Sequence, residues 1–378
     1  MSLKLVDISL TGFRNYGEFR LGNVGNLTIF VGNNAVGKTN LLEALQLCTG
    51  LSSFRHPSTD QLIREGSDFA RIEASISDKS RSLIVSAVVE PGRRRYKLNG
   101  KFKQIVDLKG LLPAVVFTPD DLALAKGSSA LKRNAIDDLG AQLTKNYYLV
   151  SRDYEKVVQY KNRLLKDEAD NGLIESINET LVTCATQLAF YRIELYKRLI
   201  SSLKSNYLSI SSGETLTSSY IPSWMDFDEF VLTEGWPTRD KIKESLQETL
   251  AVKLVEERAR KRCLVGPHAD HIELFIDGRN VADFASQGQK RSVVLAWKLA
   301  EVEVIEDSLH QNPVLLLDDV MSELDAMRRK KLVEFVEGDI QTFITTTTLE
   351  YFDDDLLSQA NVVALPPENN SIVLPDKR

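Results

Sequence analysis

A chain of 378 residues with 43% apolar content can bury a large core, and its length suits one large domain carrying an insertion, or two domains. The first residues, Met1 to Asp7, carry charge where a secretory leader is apolar, and no uncharged apolar run approaches the span of a bilayer, so a soluble cytoplasmic protein is expected, with no membrane partner. The net charge of −6 repels a polyanion from the surface as a whole, so binding to nucleic acid requires cations gathered on one face.

The first thirty residues predict strands: Leu3 to Leu10 is apolar and partly alternating, and Leu27-Thr28-Ile29-Phe30-Val31 is a short apolar run that stops at Gly32. Strand texture returns at Ala70 to Ile76 and Leu83 to Glu90, and the turn Pro91-Gly92 leads into a basic hairpin, Arg93 to Gly100. After Phe117-Thr118-Pro119-Asp120-Asp121 the texture becomes helical. Ile174, Ile177, Leu181, Cys184, Leu188, Tyr191 and Leu195 are spaced alternately by three and four, the seam of one helix packed along another, which predicts a short arm of three heptads. A polar stretch with Gly213, Pro222, Gly235 and Pro237 interrupts it. Leu246, Leu250 and Leu254 then mark a returning helix that ends in Arg258-Ala259-Arg260-Lys261-Arg262. Strand texture resumes from His271 to Ile276, and the remaining chain alternates strand and helix. Cys48, Cys184 and Cys263 lack the paired spacing of a zinc site or disulfide framework and are expected to be core residues.

Gly32-Asn33-Asn34-Ala35-Val36-Gly37-Lys38-Thr39 satisfies G-x-x-x-x-G-K-[ST] between an apolar strand and the helical run Asn40 to Leu47. The glycines let the backbone turn several N–H groups toward one anion, and the helix N-terminus adds its positive dipole end. Lys38 is placed to reach the β- and γ-phosphates of ATP, and the Thr39 hydroxyl to bind Mg²⁺. Val314-Leu315-Leu316-Leu317-Asp318-Asp319 is an apolar run ending in two acids, suited to a buried strand of a parallel sheet. Asp318 is the natural second anchor for the Mg²⁺ shell, and Asp319 is positioned to orient or deprotonate an attacking water. Ahead of a long helix, Ser286-Gln287-Gly288-Gln289 has Ser286 as N-cap and Gln289 three residues on, a capping box. Capping leaves Gly288 unexplained, since glycine in a first turn weakens the helix and opens its backbone to close approach. Two anion sites on one chain suggest a sandwich.

These three motifs together resemble the heads of ABC-type ATPases, an α/β fold of mixed sheet with flanking helices, here carrying an inserted, mostly α-helical arm. Within the SMC-like branch the chain is similar to the RecF family of bacterial recombination mediators. The similarity runs through Gly12-Phe13-Arg14-Asn15-Tyr16, the phosphate loop to Asn40, Phe117 to Leu122, Lys161 to Lys166, Gly266-Pro267-His268, Ser286 to Gln289, and Asp318-Asp319-Val320-Met321-Ser322-Glu323-Leu324-Asp325. The resemblance implies a head from residues 1–120 and 263–378 and an arm from 121–262. It implies that Lys38 of one copy and Ser286 of another clamp each ATP in a homodimer, with Asp325 in a loop beside the partner's nucleotide. It implies that one of Thr345, Thr346 and Thr347 replaces the switch histidine of other ABC-type ATPases. With Asp319 in place of the usual glutamate, hydrolysis is expected to be slow. RecF relatives commonly read Gly-Pro-His-Arg-Asp-Asp, whereas this chain has Gly266-Pro267-His268-Ala269-Asp270-His271. His268, Asp270 and His271 have the residue types of a metal site, against the plainer reading of a connecting loop.

The resemblance further implies ATP-dependent binding of duplex DNA or single-strand/double-strand junctions, stimulated hydrolysis, and action with RecR and RecO to place RecA at gaps in the nucleoid. Arg93, Arg94, Arg95 and Lys97 are candidate DNA contacts, with Lys101, Lys103, Tyr96 and Phe102 nearby; such cations hold phosphates without reading sequence. The cations from Arg258 to Arg262 are read instead as partners of a helix C-terminal dipole. Two rivals stay open. A P-loop kinase acting on a small molecule leaves Ser286 to Gln289 unexplained, and an SMC-type DNA-bridging protein needs an arm longer than three heptads.

Overall fold

The computed structural model describes residues 2–211, 213–226, 236–336 and 338–365; Gly235 of the polar stretch lies outside them. The chain divides into two compact units, Met1–Asp121 with Glu301–Arg378, and Leu122–Ala300.

The first unit holds two sheets. One is antiparallel, in the order β2 (Tyr16–Leu21), β1 (Lys4–Phe13), β4 (Ala70–Ser77), β5 (Ser82–Glu90), β6 (Arg93–Leu98) and β7 (Lys101–Lys103). Strand β4 buries Ala70, Ile72, Ala74 and Ile76 and exposes Arg71 and Glu73 between them, as expected of a sheet with one packed face and one wet face. The other sheet is parallel, in the order β14 (Asn361–Leu365), β3 (Leu27–Gly32), β13 (Thr342–Thr346), β12 (Val314–Asp318) and β8 (Ala114–Phe117). Strands β12 and β13 are buried at every residue, which is why they read as continuous runs without alternation. The helix Lys38–Cys48 packs against strands of both sheets, and its Leu41, Leu42 and Leu45 share one core with Ile72, Leu316 and Phe343.

In the second unit the helix Asn171–Ile210 packs along Lys145–Lys166 and Arg239–Arg260. Its seam faces inward, with Ile174, Leu181, Leu188 and Leu195 buried and Ile177, Cys184 and Tyr191 half-buried. At 40 residues it is longer than the three heptads expected, about 60 Å at 1.5 Å per residue. The extension has its own apolar spacing, in Leu199, Leu203, Tyr207 and Ile210, all buried. The polar stretch also holds a strand that its composition hides, β9 (Leu216–Ile221), which pairs antiparallel with one edge of β10 (His271–Ile276), while the short β11 (Arg279–Asn280) pairs with the other. Only Leu216 and Tyr220 turn to the core; Thr217 and two serines between them erase the apolar signal. Because β10 pairs with β9, and the start of the helix Gln287–Leu309 follows it, residues 263–300 group with this unit rather than with the C-terminal block.

Candidate functional site

Parallel register brings three strand ends together. Gly32 lies opposite Leu365, Val31 opposite Thr346, and Thr345 opposite Asp318, so β3, β13 and β12 finish side by side at the edge where α/β sheets place ligands. The loop leaving β3 requires its glycines. A Cβ on Gly32 would collide with the Leu365 carbonyl oxygen; one on Gly37, at φ 109°, would lie 2.5 Å from Asn15 Nδ2 and 2.8 Å from the Tyr16 hydroxyl. The turn Arg14-Asn15-Tyr16 holds the loop from behind. Asn15 Nδ2 donates to Val36 O at 3.1 Å, the Tyr16 hydroxyl to Gly37 O at 3.1 Å, and Asn40 Nδ2 to Asn15 Oδ1 at 2.8 Å. Behind these, Arg14 makes a bidentate pair with the fully buried Glu43, its Nε and Nη2 each 2.8 Å from a carboxylate oxygen. Asn33, Asn34 and Ala35 are exposed, and Ala35 takes a left-handed backbone at φ 67°.

The two acids at the end of β12 and the loop meet in one hydrogen-bonded group. The Thr39 hydroxyl donates to Asp318 Oδ1 at 2.9 Å, and the Thr345 hydroxyl donates to the same oxygen at 2.8 Å. Thr345 also accepts the backbone N–H of Asp319 at 2.9 Å, fixing the strand exit where Asp319 turns at φ 51°. Lys38 is buried and donates to Gly32 O at 2.7 Å and Asn33 O at 2.9 Å. Burial pushes the Asp318 carboxyl above the usual carboxylate range, against the Thr345 and Thr39 hydroxyls that pull it down. Burial also raises Asp319, with Lys38 opposing and Asp318 adding to the rise; burial lowers Lys38, and both carboxylates oppose that. Asp319 Oδ1 is buried and has no hydrogen-bond partner among the described residues. A hydroxyl and a carboxylate side by side suit a hard divalent cation, while the glycine-bounded turn and Lys38 suit a polyphosphate. Thr346 is also buried and donates to Thr348 O at 2.9 Å, while Thr347 is exposed.

The turn Ser286-Gln287-Gly288-Gln289, the signature turn of this chain, belongs to the second unit. Ser286 N–H donates to Gln289 Oε1 at 2.7 Å and Gln289 N–H to Ser286 Oγ at 3.2 Å, a closed capping box that leaves Ser286 and Gln287 exposed and Gly288 half-buried. Asp325 is exposed in the first unit and caps the helix Ala326–Val336 by accepting Arg328 N–H at 3.0 Å.

Sequence grouped four hairpin cations that the strand separates. Arg93, Arg95 and Lys97 alternate onto one face, where Phe102, 62% exposed, sits opposite Lys97 with Lys97 Nζ 4.9 Å and the Arg95 guanidinium 5.5 Å from its ring centre. Arg94 lies on the other face and donates to the Tyr96 hydroxyl at 3.3 Å. Arg95 is partly committed, 2.5 Å from Glu90. Arg258 donates to Ala169 O and Asn171 Oδ1, Arg260 pairs with Glu256 and Lys261 with Glu168, so three of the cations at that helix end hold local partners.

His268 and Asp270 have partners of their own. His268 shares Nδ1 with the Tyr154 hydroxyl at 2.5 Å and Nε2 with Cys263 O at 3.2 Å, and burial lowers its pKa toward the neutral ring. Asp270 is fully buried and accepts from Tyr220 and Ser223, while His271 is exposed on β10. Glu257, which accepts Leu264 N–H, lies 2.6 Å from Lys161 with both side chains fully buried, and Asn162 accepts Cys263 N–H. This part of the family pattern therefore anchors the Cys263 to Asp270 turn between two helices. Among the described residues no three His, Cys, Asp or Glu side chains gather as a metal site.

The fold and the phosphate loop define an ABC-type ATPase. Residues 4–364 match the family model described as "RecF/RecN/SMC N terminal domain". The SMC head of Pyrococcus furiosus shares the fold at TM-score 0.53 and 16% identity, over 96% of this chain and 93% of that one. The chain belongs to the RecF family. A Geobacillus kaustophilus protein named DNA replication and repair protein RecF is 34% identical across 95% of this chain and 96% of its own length. A solved structure of the recombination mediator protein RecF with ATP, of the RecFOR pathway, has TM-score 0.85 and 29% identity over 93% of this chain and 94% of that one. No helix among the described residues is long and apolar enough to cross a membrane.

Proposed function

We propose that this protein is an ATP-dependent DNA-binding recombination mediator in the cytoplasm, associated with the nucleoid, acting with RecR and RecO to load RecA at gaps. The observation that carries the reading is the shared oxygen of Asp318, which ties the phosphate-loop Thr39 to Thr345 and, through it, to the Asp319 backbone. Lys38 exchanges its bonds to Gly32 O and Asn33 O for the β- and γ-phosphates, while Gly32 to Asn40 wraps the polyphosphate. Thr39 and Asp318 would hold a Mg²⁺ ion, which would supply charge neutralisation at the phosphates. Asp319, whose Oδ1 has no hydrogen-bond partner among the described residues, orients the attacking water once nucleotide opens the site, and its raised pKa suits a proton acceptor. Of the three threonines, Thr347 is the exposed one and takes the switch position, since Thr345 serves the acids and Thr346 bonds the chain ahead.

Ser286 to Gln289 of a second copy closes over the γ-phosphate, and Asp325 borders the same interface, making an ATP-dependent homodimer. Function divides the chain into a head, 1–120 with 263–378, and an arm, 121–262, because the signature helix belongs to the ATP chemistry although its first turn packs with the second unit. Arg93, Arg95 and Lys97 beside Phe102 form the DNA face, and Arg94, turned to the other side of the strand, contributes least. Slow, DNA-stimulated hydrolysis releases the DNA. The test is ATP turnover with and without duplex or gapped DNA in the parent and Asp319→Asn. DNA should accelerate the parent, and Asp319→Asn should bind DNA but not turn over. Turnover indifferent to DNA would favour the small-molecule kinase, and bridging of two duplexes the SMC-type reading.

A further inference from the structure

The cap of the signature turn is held from outside its own helix. Gln289 makes the capping box with its Oε1, and its Nε2 donates to Glu214 Oε1 at 2.8 Å. The other oxygen of that carboxylate accepts the hydroxyl of fully buried Tyr207 at 2.6 Å, in the last turn of the helix Asn171–Ile210. Glu214 itself is fixed at both sides. Ser211 Oγ donates to its carbonyl at 3.2 Å, and Thr215 exchanges two bonds with Asp277, N–H to Oδ1 at 2.9 Å and Asp277 N–H to Thr215 O at 3.0 Å.

The chemistry of the pair gives this contact a task. A glutamine amide presents an oxygen on one side and an NH₂ on the other, and it caps Ser286 N–H only with the oxygen turned inward. A carboxylate is acceptor-only, so Glu214 fixes which way the amide faces. Gly288 weakens the same first turn, which increases the turn's dependence on an outside support. We propose that Glu214 is a positioning residue for the signature motif: held by Tyr207, it sets the Gln289 amide, and thereby the Ser286 turn, in the shape that meets a partner's nucleotide. This rests on the reading that Ser286 closes over ATP bound to a second copy.

The experiment measures ATP-dependent dimerisation of the full chain by light scattering, beside fluorescent-ATP binding under monomeric conditions and thermal melting. Glu214→Lys places a donor against a donor and should raise the ATP concentration for half-dimerisation about tenfold or more, with monomer nucleotide affinity unchanged because the phosphate loop lies in the other unit. Tyr207→Phe should produce a smaller shift in the same direction. The pair Glu214→Lys with Gln289→Glu should recover dimerisation to within about threefold, since the new carboxylate accepts both Ser286 N–H and the lysine. A merely structural role predicts lost melting temperature without that rescue. Normal dimerisation of Glu214→Lys beside a monomeric Ser286→Arg, or failure of the paired exchange, overturns the proposal alone. Normal dimerisation of Ser286→Arg overturns the sandwich and this role with it.

Discussion

Thr345→Val removes one hydroxyl and little volume, and it isolates the hydrogen bonds that hold the two acids. The substitution leaves the Asp319 N–H without its acceptor, at about 1–3 kcal/mol for a buried donor, and takes a charge-assisted bond from Asp318, about 1.5–3 kcal/mol. Both groups relax when the hydroxyl goes, so the combined loss should be about 2–4 kcal/mol, or about 5–10 °C of melting temperature for a unit of about 200 residues. The pH dependence carries a sign. Burial raises Asp318, so its ionisation works against the fold: the favourable contribution is full below the usual carboxylate range and is lost as pH climbs through the raised value. Thr345 supports the ionised form, so the deficit of Thr345→Val should be largest at pH 8 and shrink as Asp318 protonates on acidification. Melts are made in EDTA without nucleotide, with Thr345→Ser, which keeps the hydroxyl, as control. A shift below about 1 °C at pH 8, or one equal at every pH, refutes the role given to this hydroxyl. Turnover of Thr345→Val should fall about ten- to a hundredfold through misplacement of Asp318 and Asp319.

Arg14→Ala strands the fully buried Glu43; Arg55 at 3.9 Å and the Ser53 hydroxyl at 2.5 Å keep part of the compensation, so urea unfolding should show a loss of about 2–4 kcal/mol. Adding Glu43→Met should restore most of it, whereas a solvated pair such as Lys156 with Asp153 should cost under about 1 kcal/mol when cut. Asp319→Asn should slow hydrolysis about a hundredfold or more while leaving ATP binding intact, read by single-turnover assay against fluorescent-ATP titration.

Much of this site is legible in the sequence because its parts are local. The phosphate loop lies within eight residues, its strand and helix flank it, and the pair Asp318-Asp319 ends a run apolar enough to be a buried strand. Residues joined only by folding are hidden. Thr345 sits in a run of threonines, and only the register of β13 against β12 selects it for Asp318. Arg14 and Glu43 are 29 positions apart, and Glu214 lies 75 residues before the glutamine it orients. Strand β9 escapes notice because hydroxyl residues outnumber its two inward apolar side chains. The basic hairpin is visible as a cluster of charge, but strand alternation, which places Arg94 away from Arg93, Arg95 and Lys97, needs the pairing of β6 with β7.

The central claim is that one copy supplies Lys38 and another supplies Ser286 to the same nucleotide. Mixing Lys38→Arg with Ser286→Arg chains tests it by mass in light scattering with Mg-ATP. Each variant alone should stay monomeric, and the mixture should form dimers, because one of its two composite sites then has both native residues. A mixture that stays monomeric beside a dimeric parent, or a Ser286→Arg chain that dimerises by itself, contradicts the account.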